Sequence, residues 1–293
     1  MIQGLIGTFL VIIAAAFFAL IAVSAKYAYA EGATPDTLLA VRFGVAAVGF
    51  WAYLLLRGRA VYLGVRRSLR FFAVGGGLYG SMSIFLFASL SRIPASLAIM
   101  LLYAYPVIVA LLSPLFVGET MTRQKLVALA LSIVGMALIL AQPVGDLDVL
   151  GILLGLGSAL AYAFYVMFGS KLLANVAEDV GFAYLMLSTA VVVTAYGTAL
   201  GSLSLECSFL ALVILVAVGL ATIIAVAAFF TGMRSIGATR ASIAGTFEPV
   251  VVVVLSVVLL GEMMTSWQVV GILLVIFGVL VLQWRPESVL QHE

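Results

Sequence analysis

A single cysteine, Cys207, and a single histidine, His292, leave this chain unable to close an intramolecular disulfide or to gather the His and Cys ligands of a metal site. Charge is just as scarce. Fourteen Lys and Arg and twelve Asp and Glu make up 9% of the 293 residues, against about 25% in soluble domains. So few charged side chains cannot cover the surface of a water-soluble protein of this length. A net charge of +2 with no broad basic face excludes a nucleic-acid partner. Signatures of enzyme chemistry are missing too: there is no HExxH, no Ser-centred elbow and no ATP-binding loop. Gly155-x-Gly157 lies inside an apolar run with no preceding strand, so it is no dinucleotide fingerprint. The chain is read as neither an enzyme nor a cofactor binder.

What is abundant is apolar length. Hydrophobic residues are 65% of the chain, and lipid is the solvent that suits them. A bilayer span needs about 20 apolar residues, and hydrocarbon forces each segment to satisfy its own backbone, so long apolar runs mean helices. Ten can be drawn: 5–25, 37–56, 71–90, 95–117, 126–141, 150–168, 182–200, 209–231, 241–260 and 267–284. Turn chemistry separates them at Glu31-Gly32, Gln142-Pro143, Gly201-Ser202 and Gly237. The first run is followed by no Ala-x-Ala cleavage site and is read as a span, not a signal peptide. The fold expected is all-α and integral to the membrane.

An internal repeat organises these runs. Ile93-Pro94-Ala95-Ser96 overlies Ile236-Gly237-Ala238-Thr239, and the same register pairs Pro106 with Pro249, Ser113 with Ser256, Gly118-Glu119 with Gly261-Glu262, Met121-Thr122 with Met264-Thr265 and Gly135 with Gly278. Roughly a third of about fifty aligned positions are identical. Five spans per copy is an odd number, so the second copy must lie inverted. With both termini cytoplasmic, the inner loops hold Arg57, Arg59, Arg66, Arg67, Arg70, Arg123, Lys125, Lys171, Arg234, Arg240 and Arg285, while the outer loops hold only Lys26 and Arg92. That asymmetry obeys the positive-inside rule. The expected layout is a first repeat at 1–143, a second at 144–287 and a cytoplasmic tail at 288–293, in a monomer.

Arg42, in the second span, and Glu248, in the ninth, are the ionisable residues deepest in the apolar runs. Each costs at least about 2.5–3.5 kcal/mol on insertion scales, so a retained one faces a cavity or a partner. A snorkelled or purely structural charge is the competing reading. Pro106 and Pro249 sit mid-span at matched positions, where a proline removes a helix hydrogen bond and invites a kink, which makes them candidate hinges. Tyr79, Ser83, Tyr103, Tyr105, Tyr162, Phe164 and Tyr165 concentrate aromatic and hydroxyl groups on a few helices, as a cavity for a small polar metabolite would require; simple packing explains such residues equally well. Gly76-x-x-x-Gly80 and Gly151-x-x-x-Gly155 are read as close helix contacts. Glu119 and Glu262 are read as helix-end caps.

Taken together, Arg42-Phe43, Tyr105-Pro106 followed by Gly118-Glu119-Thr120-Met121-Thr122, and Glu248-Pro249 followed by Gly261-Glu262-Met263-Met264-Thr265 resemble the EamA family of the drug/metabolite transporter superfamily over essentially the whole chain. The resemblance implies a ten-helix carrier with a cavity between its halves, reached by alternating access. It also implies export of amino acids or related metabolites, in a layout similar to that of bacterial exporters of aromatic amino acids. Spans three, four, eight and nine would line the path. Small multidrug members of that superfamily carry a glutamate in their first span for proton coupling; spans one and six here hold no acid, which leaves Glu248 as the intramembrane proton carrier if there is one. Import or exchange of a vitamin or nucleoside, and a non-transporting membrane scaffold, are the alternatives.

Overall fold

The structure, a computed structural model, describes residues 2–58, 62–90, 92–93, 98, 101–118, 121–139, 148–174, 176–260 and 266–283. Glu119, Glu262, His292 and the turn at Gln142-Pro143 lie outside them. In chain order the helices are α1 (Ile2–Ala30), α2 (Pro35–Leu56) and α3 (Val65–Phe71), which runs through a π-helical segment (Phe72–Gly80) into α4 (Ser81–Leu90). Then come α5 (Tyr105–Phe116), α6 (Arg123–Ile139), α7 (Val149–Ala174), α8 (Glu178–Ala199), α9 (Phe209–Ile236), α10 (Ala238–Gly245), α11 (Phe247–Leu260) and α12 (Ser266–Gln283). Among the described residues six helical stretches are long and apolar enough to cross a bilayer, and two shorter apolar helices, Tyr105–Phe116 and Val269–Gly278, accompany them.

Local chemistry fixes the helix ends. Thr34 caps α2 by accepting from the Thr37 amide, Pro35 opens the helix and Asp36 sits in its first turn, where a negative charge is favoured. Ser208 caps α9 through the Ala211 amide. Gly237, at φ 85°, ends α9 and turns the chain directly into α10, a conformation that disfavours other residues.

Two expected spans are not continuous helices. The run at 95–117 is interrupted at residues 103–104 before α5, and the run at 241–260 is interrupted at Thr246 between α10 and α11. Pro106 therefore occupies the first turn of α5, and Pro249 the first turn of α11. A proline there displaces no helix hydrogen bond, so each restarts a helix instead of kinking one. The breaks correspond, because the 143-residue shift from Pro106 to Pro249 carries Tyr103 onto Thr246.

The same shift carries both ends of α2 onto both ends of α8. Equivalent helices then meet each other antiparallel. Asp36 lies by Gly197 while Trp51 donates to the Ala183 carbonyl at 3.2 Å, so α2 and α8 run in opposite directions. On α6 and α12 a Cβ at Gly135 would meet the Gly271 carbonyl at 2.6 Å and Val275 at 2.8 Å, and one at Gly278 would meet Ser132 at 2.9 Å and the Ala128 carbonyl at 3.0 Å. Shifted by 143, Ala128 and Ser132 are Gly271 and Val275, so each helix offers its counterpart the same patch. The outer pairs repeat the pattern: Gly7 of α1 abuts Ser235 and Ile236, and Gly151 of α7 abuts Arg92 and Ile93. Reciprocal contacts of this kind define a two-fold relation. Small residues set these crossings because lipid supplies no hydrophobic drive between helices.

Candidate functional site

The breaks and the π segment meet in the middle of the bundle, and the polar side chains gather there. Arg42, 8% exposed, reaches from α2 to donate Nε to Thr222 Oγ1 of α9 at 2.9 Å and Nη2 to the Tyr79 hydroxyl at 3.3 Å. Its guanidinium also lies 4.9 Å from the centroid of the Phe43 ring. Thr222 passes its own proton to the Val218 carbonyl at 2.8 Å. One arginine thus ties a helix of the first repeat to a helix of the second.

Tyr79 is placed by the π segment. The wide π turn loosens the normal backbone ladder, and α8 supplies hydroxyls to it: Ser188 donates to the Phe71 carbonyl at 3.1 Å and Thr189 to the Gly75 carbonyl at 3.0 Å. Gly75 and Gly76 let α8 approach, since a Cβ on either would strike Ser188 atoms, and Gly80 meets Val192 of the same helix. The Gly76-x-x-x-Gly80 pattern is therefore a packing face, as is Gly151-x-x-x-Gly155, which meets Ile93 and Leu101.

From Tyr79 a row of tyrosine rings crosses the interior. Tyr79 stacks on Tyr165 with centroids 4.4 Å apart and on Tyr162 at 6.2 Å; Tyr162 meets Tyr105 edge-on at 4.5 Å, and Tyr105 lies 6.2 Å from Tyr103. Tyr162 and Tyr165 share a face of α7 because they are three residues apart. Tyr105 donates to the Ser242 carbonyl of α10 at 3.2 Å, an approach that Gly245 permits because a Cβ there would meet the hydroxyl at 2.7 Å. Beside it, Ser113 and Thr239 share a hydrogen bond of 2.8 Å between α5 and α10. At the far end Tyr103 is in hydrogen-bonding reach of Glu248, in the first turn of α11. Glu248 is half-buried and interacts electrostatically with Arg42.

The structure brings Arg42, Tyr79, Tyr103, Tyr105, Tyr162 and Glu248 into one network. Two candidates stand apart from it. Ser83, one turn beyond Tyr79, returns its proton to the Tyr79 carbonyl at 3.0 Å. Phe164 points away around α7 and packs on Phe116 and Phe168 at 5.8 and 5.7 Å. Thr222 was not among the sequence candidates; its signal was a lone hydroxyl in an otherwise apolar stretch of α9.

Comparison with known proteins places this architecture. The sequence pattern of the EamA-like transporter family matches residues 5–141 and again 149–284. An uncharacterised transporter of Synechocystis sp. (strain ATCC 27184 / PCC 6803 / Kazusa) is 26% identical over 211 residues, 70% of this chain and 64% of that protein. An uncharacterised transporter of Bacillus subtilis (strain 168) is 34% identical over 94 residues, 32% of this chain and 30% of that protein. The matched stretches thus span less than two thirds of either curated relative. A solved crystal structure superposes with a TM-score of 0.81 over 96% of both chains at 22% identity, which is a likeness of fold. Two family matches, one on each half of the two-fold bundle, make this chain a multi-pass membrane protein of the EamA-like transporter family.

Proposed function

We propose that the protein is a ten-span carrier of the inner membrane, with both termini cytoplasmic, that exports amino acids or related small metabolites by alternating access. The observation that carries this reading is the network from Arg42 to Glu248, which is built by both repeats and runs through two helix breaks. Discontinuous helices at the interface of inverted repeats are where carriers hold substrate near the bilayer midplane. A single cation and a single carboxylate joined by aromatic rings suit a small molecule with two polar ends and an apolar body. Pro106 and Pro249, each just past a break, mark where the helices would hinge. Repeat boundaries near 143 and 144 agree with the gap between the two family matches.

The test is counterflow in proteoliposomes with a panel of labelled amino acids. Accumulation of at least one, abolished by Glu248→Gln, is the expected result. Absence of counterflow for every amino acid in the panel would remove the amino-acid reading.

A further inference from the structure

The positive-inside rule asks only that basic residues gather in the inner loops, not in which of them. Here five arginines, Arg57, Arg59, Arg66, Arg67 and Arg70, fall within one stretch of fourteen residues, and the chain holds no Asp or Glu from residue 37 to residue 118. Arg59 lies outside the described residues, and the other four are exposed. Arg57 rests 5.4 Å from the centroid of the Tyr53 ring. Among the described residues no carboxylate pairs with any of the four. The acids that open α8 are engaged elsewhere: Glu178 takes Arg234 at 3.0 Å and Thr231 at 2.9 Å, and Asp179 accepts the Val180 amide at 2.9 Å. Like charges this close repel one another, and an anionic neighbour from outside the chain offsets that repulsion.

The repeat supplies an internal control. Its 143-residue shift carries Gly58 onto Gly201, and both glycines make a left-handed turn, at φ 59° and 64°. The same shift carries Arg57, Arg66, Arg67 and Arg70 onto Leu200, Phe209, Leu210 and Val213, all of them exposed. The turn and the helix start are thus built a second time without one guanidinium, so folding does not account for the arginines. The counterparts also show where these positions face, because large apolar side chains left open on a membrane protein look out at lipid. Leu56, Tyr62, Val65 and Leu69, set among the arginines themselves, are exposed as well.

Basic side chains interleaved with exposed apolar ones at the end of a span match the level where lipid headgroups meet acyl chains. The guanidinium fork fits two oxygens of a phosphodiester, and Tyr62 with its apolar neighbours fits the glycerol and acyl region beside it. A soluble acidic partner would leave those apolar side chains unmatched. We propose that the α2–α3 loop, through Arg57, Arg66, Arg67 and Arg70, binds the headgroup phosphates of anionic phospholipids. In the orientation proposed above, these lipids belong to the cytoplasmic leaflet. Because α3 runs without a break into the π segment, bound lipid holds the root of the span that brings Tyr79 to Arg42. The binding stands whether or not the protein is a carrier.

The experiment titrates the full-length protein in detergent micelles with phosphatidylglycerol and, separately, with phosphatidylcholine of the same chains, and reads the first binding constant of each by native mass spectrometry. Wild type is expected to prefer phosphatidylglycerol severalfold, and the preference should shrink as ionic strength rises. Arg66→Gln, Arg67→Gln and Arg70→Gln combined should bring it close to parity. Arg123→Gln, Lys171→Gln and Arg240→Gln combined remove the same charge from other inner loops and should leave most of it. If the first triple variant fails to insert, the single substitutions Arg66→Gln and Arg70→Gln decide the matter, each lowering the preference by a smaller factor. The proposal is overturned if wild type shows no preference, if the two triple variants lose it equally, or if neither single variant lowers it. It is overturned too if ammonium phosphate abolishes the preference where ammonium acetate of equal ionic strength does not, which would make this a site for free phosphate. Binding of polyglutamate without binding of either lipid would make it a protein dock instead.

Discussion

Replacing Arg42 should separate folding from transport. Arg42→Met removes a charge that costs at least about 2.5–3.5 kcal/mol at span depth, and it leaves Tyr79 short of a donor at a cost of about 1–3 kcal/mol. The two effects oppose each other, so thermal unfolding in detergent should shift by no more than about 2.5 kcal/mol while counterflow falls tenfold or more. Glu248→Gln keeps the shape and removes the charge, and a similar loss of flux is expected. Phe164→Leu serves as the contrast: its ring touches Phe116 and Phe168, not the tyrosine row, and flux should stay within about twofold. The composition alone made Arg42 and Glu248 legible, because a charge in an apolar run stands out. Telling Tyr162 from Phe164 required knowing which face of α7 turns inward, and with apolar residues all round that helix no periodicity could say so.

Neighbouring glycines of the π segment should respond in opposite ways. A methyl at Gly75 meets the Ser188 hydroxyl and, at 2.6 Å, the Leu185 carbonyl, which as backbone cannot yield cheaply. Gly75→Ala is expected to lower stability by about 1–3 kcal/mol and to disturb Tyr79. Gly77 meets nothing nearer than the Phe72 carbonyl at 3.9 Å, so Gly77→Ala should be neutral or stabilise by up to about 1 kcal/mol. Differential thermal unfolding of the pair checks both. The apolar runs foretold where helices lie, since length and hydropathy are enough for that. They hid the π segment, which differs from an α-helix by one residue per turn, and Gly75-Gly76-Gly77 was its only trace. The prolines located the two breaks but misstated their form, because a proline suits a helix start as well as a kink.

On the scale of the whole molecule, one end of the bundle is latched across the repeats. Thr34 donates to the Ser202 carbonyl at 3.0 Å and Thr37 to the Ser204 carbonyl at 2.8 Å, the Ser204 amide donates to Thr37 at 2.9 Å, the Ser208 amide donates to the Glu31 carbonyl at 3.1 Å, and Ser202 bonds Asp36. Thr37→Val cuts two of these links, at about 0.5–1.5 kcal/mol each. Cys207, the sole cysteine, lies in the latched loop, half-buried. Its reaction with an impermeant maleimide on intact cells should quicken severalfold in Thr37→Val, and reaction from the outside at all would confirm the proposed orientation. At this end too, Asp148 is clamped by the Gly151 amide and by Arg92 at 3.1 Å, which hold its carboxyl below the ordinary range. The clamp's contribution is therefore complete above the usual carboxylate range and is lost only as acidification passes the lower folded value, so Gly151 amide exchange should stay slow down to that point. The seating of Gly135 against Gly271 and Val275, and of Gly278 against Ala128 and Ser132, carries the two-fold relation into assembly. A seam in which one helix greets its own counterpart is self-matching, so a gene encoding just the first half is expected to yield a protein that docks two-fold onto a second copy inserted the other way up.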